Sequence, residues 1–583
     1  MTLEAGFRIG DRDVFPLEGR IVGPGGSLRV EPKTMAVLIE LARHAPAVCS
    51  RDQIVQVVWP RGFVSDDVLT RCIGQLRRAL GDDPRAPTYL ETIPRRGYRL
   101  RIEVQEQRPD RTSGRPTHPM VESLIVLPFQ NLSAASEDFI ADGLTELLIL
   151  RLAGLKDVRV ISRTTAMQFK GTATSVAEIV VRTGVDWVIE ASVLQSGNQL
   201  QVIAQLIDAR TDAHIWAADY VRDLQDLLPL QNEIVMRVAA AIRLQLGAEF
   251  ASPPSTPSLS PPVMRDYLRG RHLMSRRTIP SLRDALSRFE AVTAATPDYA
   301  AGWASRAECE MLLVHYGEPD QERLLADCES HLDRALTLEP DLGVGLSTRG
   351  AVRFFFKSDL DGAAADIERA LYFLPSYVMA MLSMANVSAA RGSFVEATAW
   401  IEQALLVDPL DIGINMNFGD HMILQRRYDE AVRILRKALE LAPGHRPSQL
   451  RCCWALALAG QPAAATALLE SIGPTGEADL QWHEYGALVA GAAGDPQSAL
   501  PHYEALERLA GAKRVPAWTM ARAAAASAQY DTAITWLEAA VRERSSSLPF
   551  LFVTPAFDAL HSNTRFLALG SGLRLLYRPP MVW

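Results

Sequence analysis

No run of 18 or more uninterrupted apolar residues occurs in the 583-residue sequence, which leaves no segment able to cross a bilayer cheaply as a helix. The nearest approach, residues 140–155, is broken by Asp142, Glu146 and Arg151. The opening MTLEAGFRIGDRD lacks the apolar core of a secretory signal. Cysteine is scarce. Cys49, Cys72, Cys309, Cys328, Cys452 and Cys453 form no C-x-x-C pair and no secreted framework, and they read as buried small apolar residues in a reducing compartment. Together these absences predict a cytoplasmic protein with no membrane partner. Enzyme signatures are missing as well. His483-Glu484 is followed by Tyr485-Gly486-Ala487 and so lacks the second histidine of a zinc peptidase helix. The GLSTRG segment from Gly345 runs into Ala351 instead of a phosphate-binding lysine. No G-x-S-x-G elbow and no dinucleotide fingerprint occur. No cofactor or metal is expected, and Asp138, Asp142 and Glu146, although clustered at helical spacing, read as a solvated helix start.

What is present is ordinary globular composition, 48% hydrophobic and 22% charged, on a chain long enough for about four domains of ~150 residues, or fewer with a repeat array. The net charge of −8 hides an asymmetry. Residues 1–104 hold 16 Lys and Arg against 13 Asp and Glu, so a mildly basic head precedes an acidic body. Two stretches rich in Pro with Ser or Arg, 105–119 and 251–262, cannot bury enough apolar surface to fold. The expected divisions are a head at 1–104, a linker at 105–120, a middle at 121–250, a Pro/Ser linker at 251–262 and a tail at 263–583.

The tail repeats. Ala363, Ala397, Ala431, Ala465, Ala499 and Ala533 recur at a step of 34 residues, and Ala351, Ala385, Gly419, Cys453, Ala487 and Ala521 form a second column in the same register. Pro375, Pro409 and Pro443 close the first three units. Small side chains at two fixed positions let paired helices approach closely, and Pro cannot continue a helix. This is the tetratricopeptide (TPR) signature. It predicts about eight helix pairs, a capping helix within FLALGSGLRLL, and a superhelix with a concave groove.

The middle alternates types: a strand at 123–129, a helix at 139–155, a strand at 158–162, a helix at 175–184, a three-stranded meander turning at Ser196-Gly197-Asn198 and Thr211-Asp212, and a helix at 228–246. The head reads as strands over 7–26, helices at 32–45 and 51–58, and a third helix N-capped by Ser65, with Asp66 and Asp67 in its first turn, that ends at Gly81. TYLETI and YRLRIEV then flank Pro94-Arg95-Arg96-Gly97 as a hairpin with a basic tip. The third helix is the informative element. Val68, Leu69, Cys72, Ile73, Leu76 and Leu80 form its apolar stripe, and Thr70, Arg71, Gly74, Gln75, Arg77 and Arg78 form the opposite face. A basic, Gln-containing face suits the major groove, where Arg reads guanine and Gln reads adenine. A solvated charged face is the alternative from the helix alone.

This order of elements, with LRRALGDDP and then YLETIPRRGYRL, resembles the OmpR/PhoB-type winged-helix effector domain over about residues 5–103. The resemblance implies that the third helix reads the major groove and that the hairpin, or wing, touches the backbone or minor groove. Those roles fall on Thr70, Arg71, Gln75, Arg77 and Arg78, and on Arg95 and Arg96. Which arginine reads a base stays open. One of Arg77 and Arg78 is alternatively a structural ion-pair partner, and Tyr98 reads as wing packing. The family usually places a phosphoacceptor receiver domain ahead of the winged helix. Here the winged helix starts near residue 5, so control through an aspartyl phosphate is not expected. The arrangement resembles HilA-like regulators, and also CadC-like ones, which add a membrane helix that has no counterpart here. The middle segment resembles the domain placed before TPR arrays in such regulators and in some TPR-bearing adenylate cyclases, and is similar to the N-terminal domain of TolB; this likeness supplies no catalytic residues.

The fold class expected is therefore multidomain: a winged helix-turn-helix head, an α+β middle domain and an all-α TPR superhelix. The function expected is that of a sequence-specific transcriptional regulator and not an enzyme. Double-stranded promoter DNA, a protein or peptide in the TPR groove, RNA polymerase and a second copy of the chain are the expected partners. The alternatives are a TPR adaptor that binds DNA weakly and a cyclase-related signalling enzyme.

Overall fold

The computed structural model describes residues 7–575 except 11, 16–19, 24–25, 31, 46, 59–65, 83–86, 94–95, 103, 107–121, 134–137, 157, 173, 247–258, 319, 477 and 512–514. The chain forms two units, Met1–Gly114 and Arg115–Trp583.

In the first unit, four short strands, Phe7–Ile9, Arg12–Phe15, Arg20–Gly23 and Gly26–Arg29, make an antiparallel meander. Three helices follow, Pro32–His44, Arg51–Val58 and Asp66–Leu80, and then the hairpin Leu90–Ile93 and Gly97–Leu100. The apolar stripe of the third helix is buried as its spacing predicts, with Leu69, Cys72, Ile73, Leu76 and Leu80 in one core with Leu38, Leu41 and Ile54. Val68 departs from the expected stripe and is 40% exposed, because it sits in the first turn, beyond the edge of that core. Ser65, expected as the N-cap, lies outside the described residues. The YRLRIEV segment is two strands instead of one. Arg101 donates its backbone N–H to the Tyr89 carbonyl, and the chain then leaves the hairpin, so that Val104–Glu106 pairs with Phe7–Ile9.

The second unit opens on a mixed sheet. Its strand order is Val158–Val160, Glu122–Val126, Trp187–Ser196, Gln199–Asp208 and Ala213–Asp223, the first three parallel and the rest antiparallel. Helices Asp138–Leu152, Val176–Thr183 and Leu227–Leu246 complete it. Two elements have no periodicity long enough to read from sequence, the strand Gln130–Asn131 and the one-turn helix Arg163–Met167.

Among the described residues eight helix pairs follow, from Pro261–Met274 with Ile279–Ala295 to Ala517–Ala526 with Tyr530–Arg542, and the helix Thr564–Gly572 comes after them. The first pair begins inside the second Pro/Ser stretch: Pro261 and Pro262 occupy a first turn, where no intrahelical N–H is required. The small columns lie at the contacts between helices. Ala363, Ala397, Ala431, Ala465, Ala499 and Ala533 are each fully buried, as are Ala385, Cys453, Ala487 and Ala521. A larger side chain in such a column must push two helices apart. Ala431→Leu is accordingly expected to lower the stability of the Arg115–Trp583 unit by ~1–3 kcal/mol, seen as a downward shift of its melting transition in the full chain. An unchanged transition would put the repeat register in error.

The sheet and the repeats share one core, which runs from Leu124 through Leu259 and Leu268 to Leu410. Polar bonds lock the joint. Ser162 N–H donates to the Val407 carbonyl at 2.9 Å, and Ser376 Oγ accepts from Val160 N–H at 3.1 Å. Asp408 Oδ1 accepts from the Thr165 backbone N–H at 3.0 Å and from its hydroxyl at 2.6 Å. Burial, together with the neighbouring charge of Asp411, pushes the Asp408 carboxyl up to about 6, against the hydrogen bonds from Ser162 and Thr165 that lower it. The folded protein thus holds this proton more tightly than the unfolded chain does. The stability contribution of Asp408 is present below pH ~4 and is lost as pH rises through about 6. Asp408→Asn, which cannot ionise, is expected to flatten the unfolding free energy of this unit between pH 4 and 6 relative to the parent, and denaturant titration at several pH values measures it.

Candidate nucleic-acid interface

The helix Asp66–Leu80 is fixed from both ends of its buried face, and this determines which polar side chains reach outward. Thr70, Arg71 and Arg78 are exposed. Arg78 Nε lies 3.4 Å from the Gly74 carbonyl one turn back, so the guanidinium stays along the outer face. Gln75 and Arg77 are half-buried and have work within the fold. Thr34, fully buried on the first helix, donates its hydroxyl to Gln75 Oε1 at 2.5 Å. Arg77 Nη2 donates to Thr92 Oγ1 at 2.7 Å and lies 3.4 Å from the Leu90 carbonyl, so this arginine reaches the wing hairpin. Gly74 leaves the outer surface open: a Cβ built there meets nothing within 4 Å.

The wing is anchored at its base. Tyr98, 3% exposed, exchanges two backbone hydrogen bonds with Cys49, at 2.9 and 3.0 Å. Its hydroxyl accepts from Arg51 Nη2 at 2.9 Å, and the same guanidinium lies 5.5 Å from the ring centroid. Tyr98 is therefore packing, as its place in the hairpin implies. Arg96 is exposed at the turn, where its N–H closes onto the Ile93 carbonyl at 3.0 Å. Arg95 lies outside the described residues. Sequence reasoning missed the group that ties helix to wing. The helix ends when Asp82 N–H and Gly81 N–H return to the Arg77 and Arg78 carbonyls. The Asp82 carboxylate, 8% exposed, then accepts from the backbone N–H groups of Thr88, Tyr89 and Leu90 at 2.6, 3.1 and 2.7 Å. The only signal in the sequence is the acidic pair directly after the helix-ending glycine.

The result is an outward row of Thr70, Arg71 and Arg78 beside a hairpin that presents Arg96. Such a surface can place guanidinium groups against base edges and phosphates together. All six cysteines are buried. Among the described residues, no cluster of three or more His, Cys, Asp or Glu is placed to hold a metal, and no helix is long and apolar enough to cross a membrane.

Comparison with known proteins agrees with this geometry. Residues 25–100 match the family "Transcriptional regulatory protein, C terminal", and residues 422–490 match "Tetratricopeptide repeat". The transcriptional regulator HilA of Salmonella typhimurium is 21% identical over 460 residues, 76% of this chain and 72% of HilA. The transcriptional activator CadC of Escherichia coli is 38% identical over 98 residues, 17% of this chain and 19% of CadC. A Rhizobium meliloti protein named "Putative adenylate cyclase 3" is 31% identical over 192 residues, and the chain spans 33% of that protein's length. The first unit is an OmpR/PhoB-type winged-helix DNA-binding domain. The chain joins such a domain to tetratricopeptide repeats, and it is similar to HilA over 76% of its length.

Proposed function

We propose that this protein is a sequence-specific regulator of transcription that acts from the cytoplasm and is not an enzyme. Residues 1–104 bind promoter DNA, and residues 121–250 (of TolB-N-like type) and 263–583 sense or transmit a signal. The observation that carries this reading is the exposed row of Thr70, Arg71 and Arg78 beside the anchored wing. In this reading Arg71 and Arg78 contact bases or phosphates from the major groove, with Thr70 beside them, and Arg95 and Arg96 hold the backbone from the wing. Gln75 approaches the groove with its amide oriented by Thr34, and Arg77 positions the wing relative to the helix. One winged helix makes few base contacts. Paired copies on direct half-sites ~10 bp apart would add their energies, and the tail is the natural seat of that pairing and of contacts with a protein or peptide partner. RNA polymerase is the further partner expected at a promoter.

Footprinting of the full chain on promoter DNA tests the reading. Arg71→Ala and Arg78→Ala are each expected to cost ~1–3 kcal/mol and to relax preference at one position if the residue reads a base. Arg95→Ala with Arg96→Ala is expected to weaken all sequences about equally and to reduce the salt dependence. Binding left intact by all four changes would reject this surface, and a spacing other than direct half-sites would reject the pairing.

A further inference from the structure

The seventh repeat pair, Leu480–Ala492 with Pro496–Ala510, carries two histidines that face each other. His483 has no second histidine at zinc-peptidase spacing on its own helix, and it meets His502 on the next helix instead, 19 residues away. Their Nδ1 atoms stand 3.3 Å apart. Both side chains are half-buried. Ring contacts fix their positions. The two imidazole centroids are 5.5 Å apart, and the Trp482 indole packs T-shaped against both, at 5.2 Å from His483 and 5.0 Å from His502. The His502 ring also lies against the backbone of Gly486, where an added Cβ would come within 2.4 Å of Cε1 and 2.6 Å of Nδ1.

The separation decides what the pair is suited to. It lies beyond the ~2.7–3.2 Å usual for hydrogen bonds from N–H to oxygen, so two neutral imidazoles gain only one long N–H···N contact across it. Two nitrogens bound at ~2.0–2.1 Å to a tetrahedral ion are ~3.3–3.4 Å apart, which is the gap observed. Burial holds His502 down to about 4 and His483 below its ordinary value, so near pH 7 both rings are neutral and have a lone pair to give. Neither Nε2 has a hydrogen-bond partner among the described residues, so each can carry its ring's proton. The carboxylates nearest along the chain are engaged elsewhere. Glu484 accepts from Arg522 Nη1 at 2.7 Å and from the Thr519 hydroxyl at 3.1 Å. Asp479 accepts from the Trp482 N–H at 3.0 Å and from the Thr475 hydroxyl at 2.9 Å, and it pairs with Arg446. Among the described residues no third His, Cys, Asp or Glu joins the two histidines.

We propose that His483 and His502 bind one Zn²⁺ ion through their Nδ1 atoms, with water in the two remaining positions of a tetrahedral shell. Imidazole nitrogen suits Zn²⁺, whereas the hard cation Mg²⁺ takes oxygen ligands. Both rings adopt the Nε2–H tautomer on binding. A proton that sat on Nδ1 moves to Nε2 of the same ring through water, so no net proton is released. The ion ties the two helices of the seventh pair to each other and stiffens the late repeats. Water, in place of a protein acceptor, takes the Nε2–H groups, and with only two protein ligands the ion exchanges with the medium.

Calorimetric titration of Zn²⁺ into the metal-free full chain tests this. One-to-one saturation is expected with Kd of ~1–200 µM, as for half the ligands of a structural zinc site. Mg²⁺ is expected to show no saturation up to ~1 mM. His502→Phe, which keeps a flat ring on Gly486, and His483→Gln are each expected to weaken Zn²⁺ binding at least about tenfold. X-ray absorption at the zinc edge, on the unaltered chain with one equivalent of Zn²⁺, does not depend on the folding of a variant. It is expected to show two imidazole nitrogens and two oxygens around the ion. No one-to-one saturation below ~1 mM, a folded variant that binds as tightly as the parent, saturation by Mg²⁺, or a shell that contains sulfur or an imidazole count other than two would each overturn the proposal.

Discussion

Arg271→Met in the full chain is expected to destabilise the Arg115–Trp583 unit by ~3–5 kcal/mol, the cost of removing one member of a buried ion cluster. Arg271 is 7% exposed, on the first repeat helix. It donates through Nε and Nη2 to Glu146 of the sheet domain and through Nη1 to Glu308 of the second repeat at 3.2 Å. Burial opposes its charge, and the two carboxylates outweigh that effect and hold the guanidinium above its ordinary range. Without it, Glu146 keeps Arg163 at 3.3 Å, but Glu308, 9% exposed in its side chain, is left as a buried charge with no ion-pair partner among the described residues. A second substitution separates this cost from lost packing. Arg271→Met with Glu308→Met removes both charges and is expected to recover most of the stability, since well-packed apolar residues often replace buried pairs at little cost. Urea unfolding followed by tryptophan fluorescence measures both. If the double variant is no better than the single one, the loss lies in shape and not in the stranded charge.

Gly97→Ala is expected to disable the head at least as severely relative to its size. Gly97 opens the second wing strand at φ +139, in a region open to few residues other than glycine, and a Cβ there would lie 1.9 Å from the Cys49 carbonyl oxygen. That carbonyl accepts the Tyr98 N–H at 3.0 Å, so relieving the overlap breaks the bridge that anchors the wing. Backbone strain of ~1–3 kcal/mol adds to the lost bridge, and the total is a large share of the ~5–15 kcal/mol by which domains are stable. Promoter binding is expected to fall together with the melting temperature of the head. Gly74→Ala is the control. The site is open, and alanine favours a helix interior by ~1 kcal/mol over glycine. This change is expected to raise the stability of the head, and any loss of DNA affinity would then report close approach of DNA to that turn. A Gly97→Ala head that melts normally would mean that the wing is not held through Cys49.

Residues governed by local rules are legible in the amino-acid pattern. The alanine column at 34-residue spacing lies at helix contacts because every repeat solves the same packing problem with the same small side chain. The stripe from Leu69 to Leu80 is buried because 3.6-residue periodicity puts those positions on one side, and Thr70, Arg71 and Arg78 face outward for the same reason. Periodicity gives a direction from the helix axis, and it does not say what a side chain meets there. Gln75 and Arg77 lie on the polar face of the helix, but Thr34, 41 residues away, and Thr92, 15 residues away, take hold of them. Asp82 reads as an ordinary turn residue until three backbone N–H groups converge on it.

The order of the parts is written in the chain: a basic winged helix, an α+β segment and an array of small-residue repeats. Each follows from patterns a few residues long, which depend on helix period, strand alternation and the conformational limits of Gly and Pro. That the sheet domain seats on the repeats and lines one cavity with them is a property of the folded molecule alone. The bonds that do so join Thr165 to Asp408 and Arg271 to Glu146, 243 and 125 residues apart. A pattern of local period carries no term for contacts at that separation, because their geometry is set by the accumulated rotation of stacked repeats and not by any one of them.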